Sequence, residues 1–348
     1  MSGVQTISVA ADDTDQRLDR WFRRHFPHIG QGRIEKMCRK GEIRVDGGRV
    51  KASARLEEGQ QVRIPPLPDT EDARPRRARE LSVSDNDVKM IRACVLYRDE
   101  HIIALNKPPG LASQGGSNQT RHVDGLSEAL IFDAEERPRL VHRLDKDTSG
   151  VMLLARSRLV ARDLADAFKD RATRKIYWAA VAGSPLPRKG TIKFGLVKQG
   201  GHGPNQAGEK MVCIHPDEVK STDGAKFATT DYSMLEEVGK RASWVALQPV
   251  TGRTHQLRAH MAEIGHPIIG DGKYGTNKQV NEGDGWGAQL GGDVSRKLHL
   301  HARSLMLDHP VTGARLEITA PLPEHMQKTW DMLSWAVKWA PVDPFAET

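Results

Sequence analysis

The chain has 348 residues, a formal net charge of +7 and 38% hydrophobic residues, which is enough apolar material for one large domain and one small domain. Its longest apolar stretches are only a few residues, far shorter than a membrane span, and its first residues, MSGVQTISVAADDTD, lack a basic start followed by an apolar run. Cys38, Cys94 and Cys213 are far apart and form no CxxC pair, so we expect a cytoplasmic protein without a disulfide framework or a cysteine zinc site.

Residues 15–64 are predicted to form a small α/β unit that follows an N-terminal tail at 1–14. Apolar residues recur at helical spacing in DQRLDRWFRRHFP and again in GRIEKMCRK, and Gly41 is placed to end the second helix. Short alternating segments then predict strands as far as residue 64, with a turn at Asp46-Gly47.

The basic charge of the chain is concentrated in this unit. Residues 16–64 carry 13 Lys and Arg against 6 Asp and Glu, whereas the rest of the chain carries 39 of each. Localised positive charge is typical of surfaces that neutralise phosphates, although a solvated helix face has the same composition. The candidate RNA contacts on the outer helical faces are Arg23, Arg24, Arg33, Lys36, Arg39 and Lys40.

Residues 65–90 are rich in proline and mixed charge and predict a linker. A second domain is expected over 91–325, beginning with a hairpin in VLYRDEHIIALNKPPG. Strands are predicted in GVMLLA, KIYWAAVAG, FATTDYSML and SWVALQPV, and helices in RLVARDLADAFKD and THQLRAHMAEIG. This order favours an α+β fold with a mixed, mostly antiparallel sheet and flanking helices. We expect residues 277–295 to be a surface insertion, and 326–348 to be a C-terminal helix and tail in which Trp330, Leu333 and Val337 share one face.

Several reactions lose support because their motifs are missing. The sequence has no GxxxxGK[ST] loop, no GxGxxG after a strand and no GxSxG elbow. His255 and His260 are five residues apart, and His299 and His301 have no evident partner ligands, so we expect no metal site.

The remaining polar candidates lie in three short segments. They are Arg143, Asp145 and Asp147 in HRLDKDTSG, Lys175 and Tyr177 in RKIYWA, and Arg253, His255 and Arg258 in TGRTHQLRAH. A carboxylate held near an arginine stays ionised and can serve as a nucleophile or base. Local chemistry leaves an alternative open, in which Asp145 is only a salt-bridge partner and Asp147 only caps the turn.

Four blocks of the sequence resemble the RluA family of pseudouridine synthases. They are LNKPPGLAS, HRLDKDTSGVMLLA, RKIYWAAVAG and VTGRTHQLRAHMAEIGHPIIGDGKYG, in the family's order and within residues 93–320. Residues 15–64 similarly resemble the alpha-L RNA-binding motif that precedes the catalytic domain in many members. The resemblance implies isomerisation of uridine to pseudouridine in RNA, without a cofactor or metal.

The resemblance also implies roles for individual residues. Asp145 matches the essential carboxylate and Tyr177 the tyrosine that lies against the target base. Arg258 matches the basic partner of the aspartate, with Arg253 as the second choice. Arg143 matches the residue that enters the space left by the flipped base, and Leu257 the wall of the base pocket.

The expected substrate is large-subunit ribosomal RNA or its assembly precursor, because SQGGSNQTRHVDGL resembles members that act on that RNA. Transfer RNA is the alternative substrate, and we expect a monomer with no membrane contact. Two other functions remain open: a hydrolase that uses Asp145 and Asp147 as a carboxylate pair, and a non-catalytic RNA-binding protein of ribosome assembly.

Overall fold

The structure, a computed structural model, describes residues 3–67, 83–115, 121–170, 172–199, 210–275, 294–341 and 343–346. These residues form two compact units, 1–82 and 83–348. Each helix among the described residues is too short or too polar to cross a membrane. The predicted insertion at 277–295 lies almost entirely outside the described residues.

The first unit is a small antiparallel sheet covered by two helices. Its elements are the strands β1 (Gln5–Ser8), β2 (Arg44–Val45), β3 (Gly48–Arg49) and β4 (Gln61–Ile64), and the helices α1 (Leu18–His25) and α2 (Gln31–Lys40). The sheet has the order β1-β4-β2-β3. Leu18, Trp21 and Phe22 on α1 are fully buried at helical spacing, which is why this segment forms a helix against the sheet.

The prediction of an N-terminal tail at 1–14 is wrong for most of that range. Gln5–Ser8 pairs in antiparallel register with Gln61–Ile64, and residues 11–13 form a short 3-10 helix. The strand is held because Ile7 and Val9 pack against the core of the unit. The helix predicted to end at Gly41 is confirmed, since Gly41 adopts φ +72° and its amide donates to the Cys38 carbonyl.

The second unit is built around one large sheet. Its strands are β5 (Val95–Arg98), β6 (Ile102–Lys107), β7 (Arg139–Leu140), β8 (Ser149–Ala155), β9 (Arg174–Ala182), β10 (Lys189–Gln199), β11 (Lys210–Ile214), β12 (Lys226–Val238), β13 (Ala242–Pro249), β14 (Leu300–Asp308) and β15 (Arg315–Thr319). Its helices are α3 (Asp85–Ala93), α4 (Val123–Leu126), α5 (Arg158–Ala167), α6 (Gln256–Glu263) and α7 (Glu324–Met332).

The sheet confirms the predicted α+β class with mostly antiparallel strands. Its order is β11-β10-β12-β13-β9-β14-β8-β6-β5, with β15 paired to β14 and β7 to β8. Among the described residues, only the pairing of β8 with β14 is parallel. That central pairing brings the segment that precedes β8 next to the start of β14 and to β9.

Two predicted boundaries need correction. The predicted linker at 65–90 is too long, because α3 begins at Asp85, where the Ser84 side chain accepts the amide of Asp87 and caps the helix. The C-terminal segment 326–348, predicted as a separate helix and tail, belongs to the second unit, since Trp330 is buried against Trp244 and Trp335. Its helix ends at Met332, so Val337 lies in a separate 3-10 helix and not on the same helix face.

Candidate active site

Asp145 lies in a short loop before β8, and the loop is fixed on both sides of it. Ser113 Oγ donates to the Leu144 carbonyl at 2.6 Å and accepts the Leu144 amide at 3.1 Å. On the other side, the Lys146 carbonyl accepts from Lys107 Nζ at 3.0 Å and from the Gly110 amide at 2.9 Å. The backbone at Asp145 is therefore held by the segment that follows β6.

Lys107 is a fully buried lysine whose ammonium serves this loop. Its Nζ donates to the carbonyls of Pro108 at 3.0 Å, Leu111 at 2.8 Å and Lys146 at 3.0 Å, which matches the three protons of the charged form. Burial lowers the pKa of Lys107 to about 7, while the nearby charges of Asp147 and Asp145 act in the opposite direction.

The end of the loop is locked onto β14 by close packing. Gly150 has φ +110°, and a Cβ there would lie 2.2 Å from the Ala302 carbonyl oxygen, so the position requires glycine. Next to it, the Ser149 hydroxyl donates to His301 Nδ1 at 2.9 Å, because the other nitrogen of His301 donates to the Ala320 carbonyl.

Arg258 reaches Asp145 from α6. Its Nη1 lies 3.4 Å from Asp145 Oδ2, while Nε and Nη2 donate to the two carboxylate oxygens of Asp271 at 2.7 and 2.8 Å. Asp271 also accepts the amides of Lys273 and Tyr274. Burial opposes the charge of Arg258, but the hydrogen bonds and charge of Asp271 raise the pKa of the guanidinium above its ordinary value. Arg258 is thus a permanent cation with a fixed orientation.

A second basic side chain, His255, faces the same carboxylate oxygen. Its Nε2 lies 3.8 Å from Asp145 Oδ2, and its Nδ1 lies 3.0 Å from the Tyr274 hydroxyl. Tyr274 in turn accepts the Met211 amide at 2.9 Å. Arg258 and His255 both approach Oδ2, and no side chain or amide among the described residues donates a hydrogen bond to Oδ1.

A small pocket of about 120 Å³ lies beside Asp145. Tyr177 from β9 and Leu257 from α6 line it, together with Arg143 and Arg258. Burial, followed by the charge of Asp145, raises the pKa of Tyr177 far above its ordinary value, so the hydroxyl keeps its proton at neutral pH. The pocket therefore combines an apolar wall, a phenol and a carboxylate.

A larger cleft of about 910 Å³ also borders Asp145. The Lys and Arg residues that line it are Lys146, Lys210, Arg258, Lys273, Arg296 and Lys297. Positive charge around an open cleft is the electrostatic property that a nucleic-acid backbone requires. Asp145 thus borders both a small pocket of a size suited to a base and a basic cleft suited to a phosphodiester strand.

The structure brings together Asp145, Arg258, Tyr177 and Leu257, and places Arg143, an exposed residue, at the rim of the small pocket. Of the two arginines considered as partners of Asp145, Arg258 makes the contact, whereas Arg253 Nε donates to the Phe227 carbonyl at 3.2 Å.

Other candidates lie away from the site. Lys175 donates to the Phe168 carbonyl, and His299 and His301 bond to Thr329 and Ser149. Within the described residues, no group of three or more His, Cys, Asp or Glu side chains is placed to hold a metal ion.

Sequence reasoning missed three of the residues that build the site: Lys107, Asp271 and Tyr274. All three lie within blocks that carry the family resemblance, LNKPPGLAS and HPIIGDGKYG. A buried lysine next to two prolines and an aspartate between two glycines both look like turn residues in the sequence. Their roles depend on contacts with residues far away in the chain.

Comparison with known proteins gives consistent matches. The RNA pseudouridylate synthase family matches residues 101–263. The chain is 33% identical over 326 residues to ribosomal large subunit pseudouridine synthase C of Vibrio cholerae, which covers 93% of this chain and 95% of that one. It is 35% identical over 328 residues to the protein of the same name from Escherichia coli K12, with the same coverage.

Solved structures agree with the sequence matches. Human RNA pseudouridylate synthase domain containing 4 superposes with a TM-score of 0.55 and 28% identity, over 71% of this chain and 95% of that one. Human RNA pseudouridylate synthase domain containing 1 superposes with a TM-score of 0.51 and 25% identity, over 67% and 86%.

Proposed function

Because this chain belongs to the RNA pseudouridylate synthase family, we propose that it isomerises specific uridines of large-subunit ribosomal RNA, with Asp145 as the essential carboxylate. The observation that carries the assignment of Asp145 is its position where the small pocket and the basic cleft meet, 3.4 Å from Arg258. The substrate is supported by the similarity to two proteins named for the ribosomal large subunit over 93% of the chain.

The reaction is an isomerisation whose atoms balance without a second substrate. The N1–C1′ bond breaks, a C1′–C5 bond forms, the C5 hydrogen leaves as a proton and N1 takes up a proton. Asp145 is the carboxylate that acts on the sugar or the base, and the Arg258 guanidinium lies 3.4 Å from it. Tyr177, which keeps its phenolic proton, lies against the base and serves the proton transfer.

The base must leave its stack to reach Asp145, which costs a few kcal/mol. Arg143 is exposed, lies two residues before Asp145 and has a planar guanidinium that can stack and hydrogen-bond in the vacated space. The detached base must then be kept from water while it rotates. Tyr177 and Leu257 line the small pocket beside Asp145 and would cover the base there, which favours isomerisation over hydrolysis.

The first unit supplies a second RNA contact in this proposal. The six basic residues named from the sequence are all exposed on α1 and α2. Two of them also form ion pairs, Arg24 with the buried Asp13 at 2.6 Å and Lys40 with Glu42 at 3.7 Å. Arg23, Arg33, Lys36 and Arg39 are thus the stronger candidates for phosphate contacts, and a second contact on the same chain raises the effective concentration at an extended RNA.

Pseudouridine mapping of total RNA tests the function. Cells lacking the gene are complemented with the intact chain, with Asp145→Asn, or with Asp147→Asn as a control in the same loop, where Asp147 is exposed. We expect specific large-subunit sites to vanish on deletion and to return with the intact chain and Asp147→Asn, but not with Asp145→Asn. If the sites that vanish lie in transfer RNA, transfer RNA replaces ribosomal RNA as the proposed substrate. Restoration of the sites by Asp145→Asn would overturn the catalytic assignment.

A further inference from the structure

We propose that His255, held by the Tyr274 hydroxyl, is a second positioning residue of Asp145: it presents Nε2–H to Oδ2 and leaves Oδ1 as the reactive oxygen. This inference rests on the proposed function, since it concerns the same carboxylate. It assigns a role to two residues, His255 and Tyr274, that lie 3.0 Å apart from Nδ1 to the hydroxyl oxygen.

The backbone at His255 gives the first observation. His255 precedes α6 with φ +53° and ψ +17°, a left-handed conformation that is uncommon for a residue with a Cβ. Non-glycine residues in this region cluster at functional sites, where the surrounding structure holds them against the strain. Here the conformation accompanies a side chain that is only 14% exposed and faces the carboxylate.

The hydrogen bonds of Tyr274 give the second observation, because they set which nitrogen of His255 carries the proton. The Tyr274 oxygen already accepts the Met211 amide at 2.9 Å. Burial raises the pKa of Tyr274 to about 12, so its hydroxyl proton is retained and can be donated to His255 Nδ1. The neutral imidazole then carries its proton on Nε2, and the carboxylate oxygen 3.8 Å away favours the same tautomer.

Burial is the main reason that the ring of His255 is neutral. Burial lowers the pKa of His255, and the charges of Arg258 and Lys273 act in the same direction. Asp145 and Asp271 act in the opposite direction, and Tyr274 contributes its neutral hydroxyl. The ring therefore acts as a neutral donor near pH 7, whereas Arg258 is the charged donor to the same oxygen.

Each of the two side chains that face Oδ2 is held by a residue of the same turn. Arg258 is held by the carboxylate of Asp271, and His255 is held by the hydroxyl of Tyr274. Asp271 Oδ1 accepts the Tyr274 amide at 3.1 Å, so both supports depend on residues 271–274. In this proposal Arg258 at 3.4 Å and His255 at 3.8 Å orient the carboxylate through Oδ2, and its other oxygen is left to face the sugar or base.

The test uses the full chain and unmodified large-subunit ribosomal RNA transcribed with tritium at C5 of uridine, because each conversion releases one C5 hydrogen. Single-turnover rates and RNA dissociation constants are measured for wild type, His255→Phe, His255→Gln, Tyr274→Phe and the double variant His255→Phe/Tyr274→Phe. Gln is the conservative variant, since its amide nitrogen can donate from near the position of Nε2.

We expect His255→Phe to slow the single-turnover rate by at least about tenfold, because in this proposal the 3.8 Å separation of Nε2 and Oδ2 closes to a hydrogen bond in the complex with RNA, while the RNA dissociation constant stays within about twofold. His255→Gln should recover most of that rate. Tyr274→Phe should slow the wild type by about threefold or more yet leave His255→Phe unchanged, because Tyr274 acts through His255.

Three outcomes would overturn the inference: a wild-type rate in His255→Phe, no recovery by His255→Gln, or independent, additive losses from His255→Phe and Tyr274→Phe. Melting temperatures of all variants separate loss of folding from loss of positioning. If the wild-type chain itself releases no tritium from this RNA although Asp145→Asn binds it equally, the proposed function fails and not merely the role of His255.

Discussion

Replacing Asp271 with asparagine tests how the buried arginine of the site is stabilised. Asp271 is fully buried and accepts two hydrogen bonds from Arg258 and two from backbone amides. Asparagine has the size of aspartate but no charge, and its amide NH2 group would face the hydrogen-bond donors of Arg258 and the backbone. Breaking a buried ion pair costs about 3–5 kcal/mol, and we expect the lower end because Asp145 still lies 3.4 Å from Arg258.

A loss of about 3 kcal/mol corresponds to a fall in melting temperature of roughly 6–12 °C for a domain of this size. Differential scanning calorimetry of Asp271→Asn measures it, with Asp308→Asn as the matched control. Asp308 pairs with Arg315 at 3.2 Å, but both side chains are at least half exposed, so the control should change the melting temperature by no more than about 2 °C. Equal melting temperatures for the two variants would refute the claim that the Asp271–Arg258 pair stabilises the site.

Three further predictions concern other buried groups. Lys107→Met removes three hydrogen bonds to the loop of Asp145 and should lower both the single-turnover rate, by about tenfold or more, and the unfolding free energy, by about 2 kcal/mol in urea unfolding. Thr148→Val should leave the melting temperature unchanged or higher, because the Thr148 hydroxyl is buried without a partner among the described residues; a fall of several degrees would contradict this. Burial lowers the pKa of His260 to about 4, below its value in the unfolded chain, so the unfolding free energy should fall as the pH drops from about 6.5 to about 4. In His260→Leu, the unfolding free energy from urea titrations should change less steeply with pH over this range, by up to about 1.4 kcal/mol per pH unit.

Much of the fold could be predicted because local patterns coincide with tertiary burial. The hairpin of β5 and β6 and the strands β8, β9, β12 and β13 have apolar runs bounded by turn residues, and the structure confirms them. The strands β10 and β14 were not predicted from the sequence. β10 carries Lys189, Lys193 and Lys198 and is defined by pairing on both sides rather than by its own composition.

The candidate site was predictable only in part. Asp145, Arg258 and Tyr177 were found through the family resemblance, since nothing in their spacing shows that β9 and α6 converge on the loop before β8. Asp271 and His255 escaped assignment because their roles arise from contacts with Arg258 and Tyr274 that only the folded sheet creates. A strand such as β1 was missed for the same reason, because a four-residue segment gains its stability from its partner.

The contacts that hold the loop of Asp145 affect the order in which the chain folds. Lys107 and Ser113 hold the backbone of the loop, while Arg258, itself held by Asp271, contacts the Asp145 carboxylate; these residues lie in segments far apart along the chain. Contacts of such long sequence separation form only after the entropy of closing the intervening loops has been overcome. If the basic helices bind RNA as proposed, partly folded chains would bind RNA before they can modify it, and recovery of activity after denaturation would report the last steps of assembly of the sheet.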